Sequence, residues 1–77
     1  MNKQRRKSID RLIDKLSEIR DEIEMLKDEE QEAFDNMPES LQSSERGENM
    51  ETAIYALDEA YESIDSAIDS LTQSTEV

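Results

Sequence analysis

The chain has 77 residues, 21 of them acidic and 9 basic with no histidine, and so a formal net charge of −12 at neutral pH. That charge works against binding to DNA, RNA or anionic lipid, and the absence of Cys and His excludes a thiol nucleophile, a disulfide scaffold, a zinc ligand set and an imidazole base. An apolar content of 34% suffices for one small domain, with no run of the roughly 18 apolar residues that a membrane-spanning helix needs.

The opening MNKQRRK is basic, but no apolar signal-peptide core follows it, so the cytoplasm is the expected compartment. A charged content of 39% first suggests disorder. Periodicity overrules it. Apolar positions run Ile9, Leu12, Leu16, Ile19, Ile23 and Leu26, then Glu30, Ala33 and Met37, alternating steps of three and four with Glu30 as the one polar intruder. This spacing predicts a coiled-coil-like helix over about residues 4–35, its stripe widened by Ile13 and Phe34. Glu30 reads either as a register device or as a mismatch near the helix end.

Pro38 forbids a continuous helix and biases Met37 away from helical geometry, which sets a linker over residues 36–43 with room for one turn through Gln42. Ser43 or Ser44 is the expected N-cap of a second helix over about 44–72, with Glu45 and Glu48 favourably placed at its positive end. Gly47 should weaken that first turn by up to about 1 kcal/mol. From Met50 the row continues through Ile54, Leu57, Tyr61, Ile64, Ile68 and Leu71 without a polar residue. Ala53, Ala60 and Ala67 flank it and are small enough to admit a neighbouring helix. The polar tail, 73–77, is expected to fray.

Two long helices joined by a short linker predict an all-α fold, an antiparallel two-helix coiled-coil hairpin in a single domain. Charge agrees. Residues 1–20 hold seven basic and three acidic side chains, residues 21–46 hold two basic and ten acidic, and residues 47–77 hold eight acidic and none basic. Folding about residue 40 lays the positive start beside the negative end and leaves the linker end strongly acidic. One seam is a thin core for this length, so a homodimer forming a four-helix bundle is expected, with a heterologous partner as the alternative.

No residue set points to catalysis or to a cofactor. Carboxylates such as those of DEEQE at 28–32 lie on solvated faces, and the calcium-loop pattern with its internal glycine is missing, so no metal site is expected. A more specific pattern is a second row on each helix: Asp14, Glu18, Asp21, Asp28, Glu32 and Asp35 on the first, and Glu48, Glu51, Asp58, Glu62, Asp65 and Asp69 on the second. Met25 and Tyr55 fill the gaps, at matching heights if the chain folds about residue 40. Such ladders either confer solubility or imitate a phosphate backbone, with the two apolar residues as anchors.

The segment FDNMPESLQSSERGE, after a helix ending DEEQEA and before LDEAYESIDSAIDSL, resembles small acidic helical proteins of Firmicutes and their bacteriophages. The resemblance covers the chain in organisation, is specific only in the linker, and carries over no site residue. It implies a phage or mobile-element context, in which such a gene acts by binding a host protein; taken with the acidic rows, the expectation is a protein of the bacterial host's cytoplasm that occupies a basic, nucleic-acid-binding surface as a decoy or inhibitor of the anti-CRISPR or anti-restriction type. The alternative expectation is a structural or adaptor protein that self-assembles through its apolar seam, its charge serving solubility.

Overall fold

The computed structural model describes residues 1–76. It forms the expected hairpin, with α1 over Lys3–Asp35, a single-turn α2 over Glu39–Gln42 and α3 over Glu45–Thr75. No strand occurs among the described residues. The two long helices lie side by side in a body of 58 × 15 × 13 Å.

Local chemistry sets each boundary. Asn2 caps α1, its side-chain oxygen accepting from the Arg5 N–H at 2.7 Å, which satisfies one of the donors a helix start leaves unpaired. α1 stops at Asp35 ahead of Pro38, and the Gln42 side-chain amide returns to its end, donating to the carbonyls of Phe34 and Met37 at 3.1 and 3.2 Å. Ser44 caps α3 by accepting from the Gly47 N–H at 3.4 Å, while its hydroxyl donates to the Leu41 carbonyl. α3 runs to Thr75, past the limit near residue 72 expected for the second helix. There the hydroxyls of Thr72, Ser74 and Thr75 donate to the carbonyls of Ile68, Leu71 and Thr72, and the helix continues. Val77 lies outside the described residues.

Gly47 has a different role from the one its helix propensity suggests. It is buried where α2 crosses the first turn of α3, and a Cβ there would sit 2.6 Å from the Leu41 carbonyl oxygen and closer still to that of Gln42. Only a bare backbone lets the linker fold down this tightly.

α3 presents the expected seam, with Ile68 as the one buried hydrophobic residue, at 9% exposure. α1 does not. Its half-buried positions are Ile9, Ile13, Leu16, Ser17, Arg20, Ile23, Lys27, Glu30, Gln31 and Phe34, whereas Leu12, Ile19 and Leu26 stay 48%, 45% and 54% exposed. The seam expected through Leu12, Ile19, Leu26 and Ala33 is therefore corrected by one row. The reason is geometric. α1 carries three adjacent heptad rows, beginning at Ile9, Leu12 and Ile13, and one neighbour covers only two of them. Choosing the Ile13 row also buries part of Phe34 and brings Arg20 and Lys27 against carboxylates of α3.

Gly47→Ala should therefore lower stability by about 1–3 kcal/mol through overpacking, although Ala is the better helix former by up to about 1 kcal/mol. Urea denaturation followed by circular dichroism checks the sign, and a stabilised variant would contradict the close packing of α2.

Candidate interaction surfaces

Two ion pairs join the helices. Arg20 Nη1 donates to Asp65 Oδ1 at 2.9 Å and Lys27 Nζ to Asp58 Oδ1 at 2.8 Å. Cations and carboxylates are each one heptad apart, so the two pairs form successive rungs of one antiparallel register. The bond to Asp65 raises the Arg20 pKa, and the bond to Asp58 raises that of Lys27. The charge of Glu24, together with partly desolvated surroundings, raises the pKa of the Tyr61 phenol.

These rungs reshape the expected acidic rows. On α1, Asp14, Glu18, Asp21, Asp28, Glu32 and Asp35 are all exposed, with Asp21 near Arg20 Nε at 3.4 Å and Asp35 accepting from the Gln31 amide at 3.0 Å. On α3, Glu48, Glu51, Glu62 and Asp69 are exposed. Asp58 and Asp65 are half-buried, and each has one carboxylate oxygen engaged in an ion pair with α1.

Met25 and Tyr55 are the most exposed of the large hydrophobic residues, at 63% and 69%. They do not share a height. The rungs set residue 58 beside residue 27 and residue 65 beside residue 20, which places Tyr55 level with residue 30, about five residues or ~7 Å along the axis from Met25. The turn of α2 lengthens the linker and moves the fold point beyond residue 40. Tyr55 lies on a groove with Phe34, Ile54 and Lys27, whereas Met25 is on the outer face of α1, so the structure does not bring the two together as one anchor.

The surface missed in the sequence is the row Leu12, Ile19, Leu26 and Ala33. It runs along the side of the hairpin opposite the ion pairs, where Leu26 shares a groove with Leu57 and Glu30. Ala53, Ala60 and Ala67 line the same side of α3. Glu30 is half-buried toward the closed end, in a groove it also shares with Arg46 and Met50, and makes no ion pair among the described residues. A signal was present in the sequence: Arg20 and Lys27 repeat at the spacing of Asp58 and Asp65, which assigns the Ile13 row to the seam and frees the Leu12 row.

Among the described residues, no group of three carboxylate, His or Cys side chains is placed to hold a metal ion, and no helix is long and apolar enough to cross a membrane. Fold and surface together define a helical hairpin with one uncovered apolar side and an acidic exterior. No family model matches the chain, and no curated protein or solved structure is significantly similar to it.

Lys27 and Tyr61 both have raised pKa values, so the fold favours their protonated forms. Their stabilisation is complete below the ordinary values of 10.5 and 10.0 and is lost as pH rises through the higher folded values. Stability should therefore fall as pH is raised above about 10, and Tyr61→Phe should flatten part of that fall. Denaturation midpoints across this range test it, and an unchanged slope in the variant would remove Tyr61 from the account.

Proposed function

We propose that this chain is a non-enzymatic helical interaction protein that completes its core by packing its uncovered apolar side against further helices, a second copy supplying them to make a four-helix bundle. The observation that carries this reading is the exposure of Leu12, Ile19 and Leu26 as one row along one side. Surface area supports it: the chain exposes 5825 Å², whereas a compact monomer of 8.9 kDa exposes about 4,800 Å². The excess, about 1,000 Å², is close to the ~800 Å² that each partner contributes to an interface of ordinary size. In this reading the bundle is a structural or adaptor element. Ile19→Asp should leave the hairpin helical and halve the mass in solution to that of one 8.9 kDa chain, measured by sedimentation equilibrium. A wild-type chain that is already monomeric would overturn the reading.

A second reading is favoured by the outer face of α1, where the carboxylates of Asp14, Asp28 and Glu32 are solvated beside exposed Met25. There the bundle would carry an acidic surface that occupies the basic, nucleic-acid-binding surface of a host protein, as a phage-derived decoy of the anti-CRISPR or anti-restriction type. Reversing Asp14, Asp28 and Glu32 to Lys tests this without touching the ion pairs of the hairpin. Binding to nucleic-acid-processing proteins of a host lysate should be lost in the triple variant, and lost by the wild type as salt shortens the Debye length from about 10 Å at 0.1 M to about 3 Å at 1 M. Capture that survives both changes would sink the decoy.

A further inference from the structure

We infer that the side carrying Leu12, Ile19 and Leu26 receives a second copy of this chain in antiparallel orientation, with Ile19 of both copies on the twofold axis. The inference rests on the assembly proposed above and adds its orientation and register.

Ile19 is the central residue of the 33-residue α1, so antiparallel pairing about it overlays the two helices along their full length. Leu12 then meets Leu26 of the partner subunit, and symmetry repeats the contact, as a self-complementary interface requires. The row bordering these positions on the outer side is Ser8, Lys15, Glu22 and Glu29. Antiparallel pairing sets Lys15 opposite Glu22 of the partner subunit, twice. Co-oriented twofold pairing would put the two copies of this row on opposite edges of the interface, where Lys15 borders the Leu16 row of the partner subunit and has no carboxylate of Glu22 to meet.

The charge of the whole hairpin selects the same orientation. Divided at the Arg20–Asp65 rung, the open end, residues 1–20 and 65–77, holds seven basic and six acidic side chains, a net +1. The closed end, residues 21–64, holds two basic and fifteen acidic, a net −13. A co-oriented dimer stacks one end of −13 on another, whereas an antiparallel dimer lays each against an end of +1 that carries seven of the chain's nine cations. Like charges held in one interface cost far more than the same charges apart, so charge excludes the co-oriented form while the apolar row supplies the attraction.

The chain contains no cysteine, so single-cysteine variants report neighbours directly. Ile19→Cys should oxidise in air to a disulfide-linked dimer, and Leu12→Cys should cross-link to Leu26→Cys when the two are mixed, while neither links to itself. Self-linked Leu12→Cys, or an Ile19→Cys captured only by Ala67→Cys on α3, would mean a different orientation or register. Either result overturns the inference and leaves assembly standing; a wild type sedimenting as a monomer overturns both. Glu22→Lys gives an independent check, because it lowers the net charge from −12 to −10 and so relieves general repulsion. It should still raise the dimer Kd about threefold to tenfold, because the introduced ammonium faces that of Lys15 across the interface, and Lys15→Glu in the same chain should restore it. A tighter Glu22→Lys dimer would overturn the pairing.

Discussion

One neighbouring helix can cover two heptad rows, and α1 carries three. Most of what distinguishes this hairpin follows from that mismatch. Once the rows beginning at Ile9 and Ile13 face α3, the Leu12 row must face away, and the core between two helices stays so thin that Ile68 is the one hydrophobic side chain buried among the described residues. The Ile13 row is the less apolar of the two candidates, since it contains Arg20 and Lys27. It lies against α3 with Arg20 and Lys27 paired to the carboxylates of Asp65 and Asp58. Half-exposed ion pairs of this kind add little stability, so they accompany the packing of the two helices more than they drive it.

The closed end sets the register of the two helices. Pro38 stops α1, Gln42 ties the linker to the last carbonyls of α1, and Gly47 lets α2 fold onto the first turn of α3. The linker therefore has a defined length, and the height of every cross-helix contact is inherited from it. A glycine that costs helix propensity is retained where the backbone carbonyls of Leu41 and Gln42 leave no space for a side chain, so packing outweighs propensity here.

The sequence is informative wherever one physical rule acts alone. The helix limits at Asp35 and Ser44, the single turn after Pro38, the hairpin and the α3 seam all follow from periodicity and capping. It misleads where two rules compete. Hydrophobicity alone assigns Leu12, Ile19 and Leu26 to the seam, because it scores Arg20 and Lys27 as outsiders; in the structure those two cations pair with Asp65 and Asp58, and the Ile13 row lies in the seam instead. The same rungs withdraw Asp58 and Asp65 from the exposed acidic rows and separate Met25 from Tyr55 in height, since a fold point at residue 40 ignores the residues that α2 consumes. Single-helix patterns identify which rows exist. Pairing between helices decides which rows are left over.

That distinction bears on the meaning of the acidic charge. If carboxylates served only solubility, they would be free to spread along the hairpin, yet the chain places a net −13 on one side of the Arg20–Asp65 rung and +1 on the other. Apolar rows are permissive about orientation, because a Leu side chain packs equally well against either direction of a neighbouring helix, so a hairpin with an uncovered apolar side needs another property to choose among partners and directions. Segregated charge has that property. It penalises co-oriented copies and acidic bystanders over distances that dispersion forces do not reach, and it leaves as tolerated neighbours only surfaces that bring cations to the closed end. A second copy laid antiparallel meets that condition with the basic first half of its own α1. A basic host surface meets it as well, but without a matching apolar row it lacks the contact that would cover Leu12, Ile19 and Leu26.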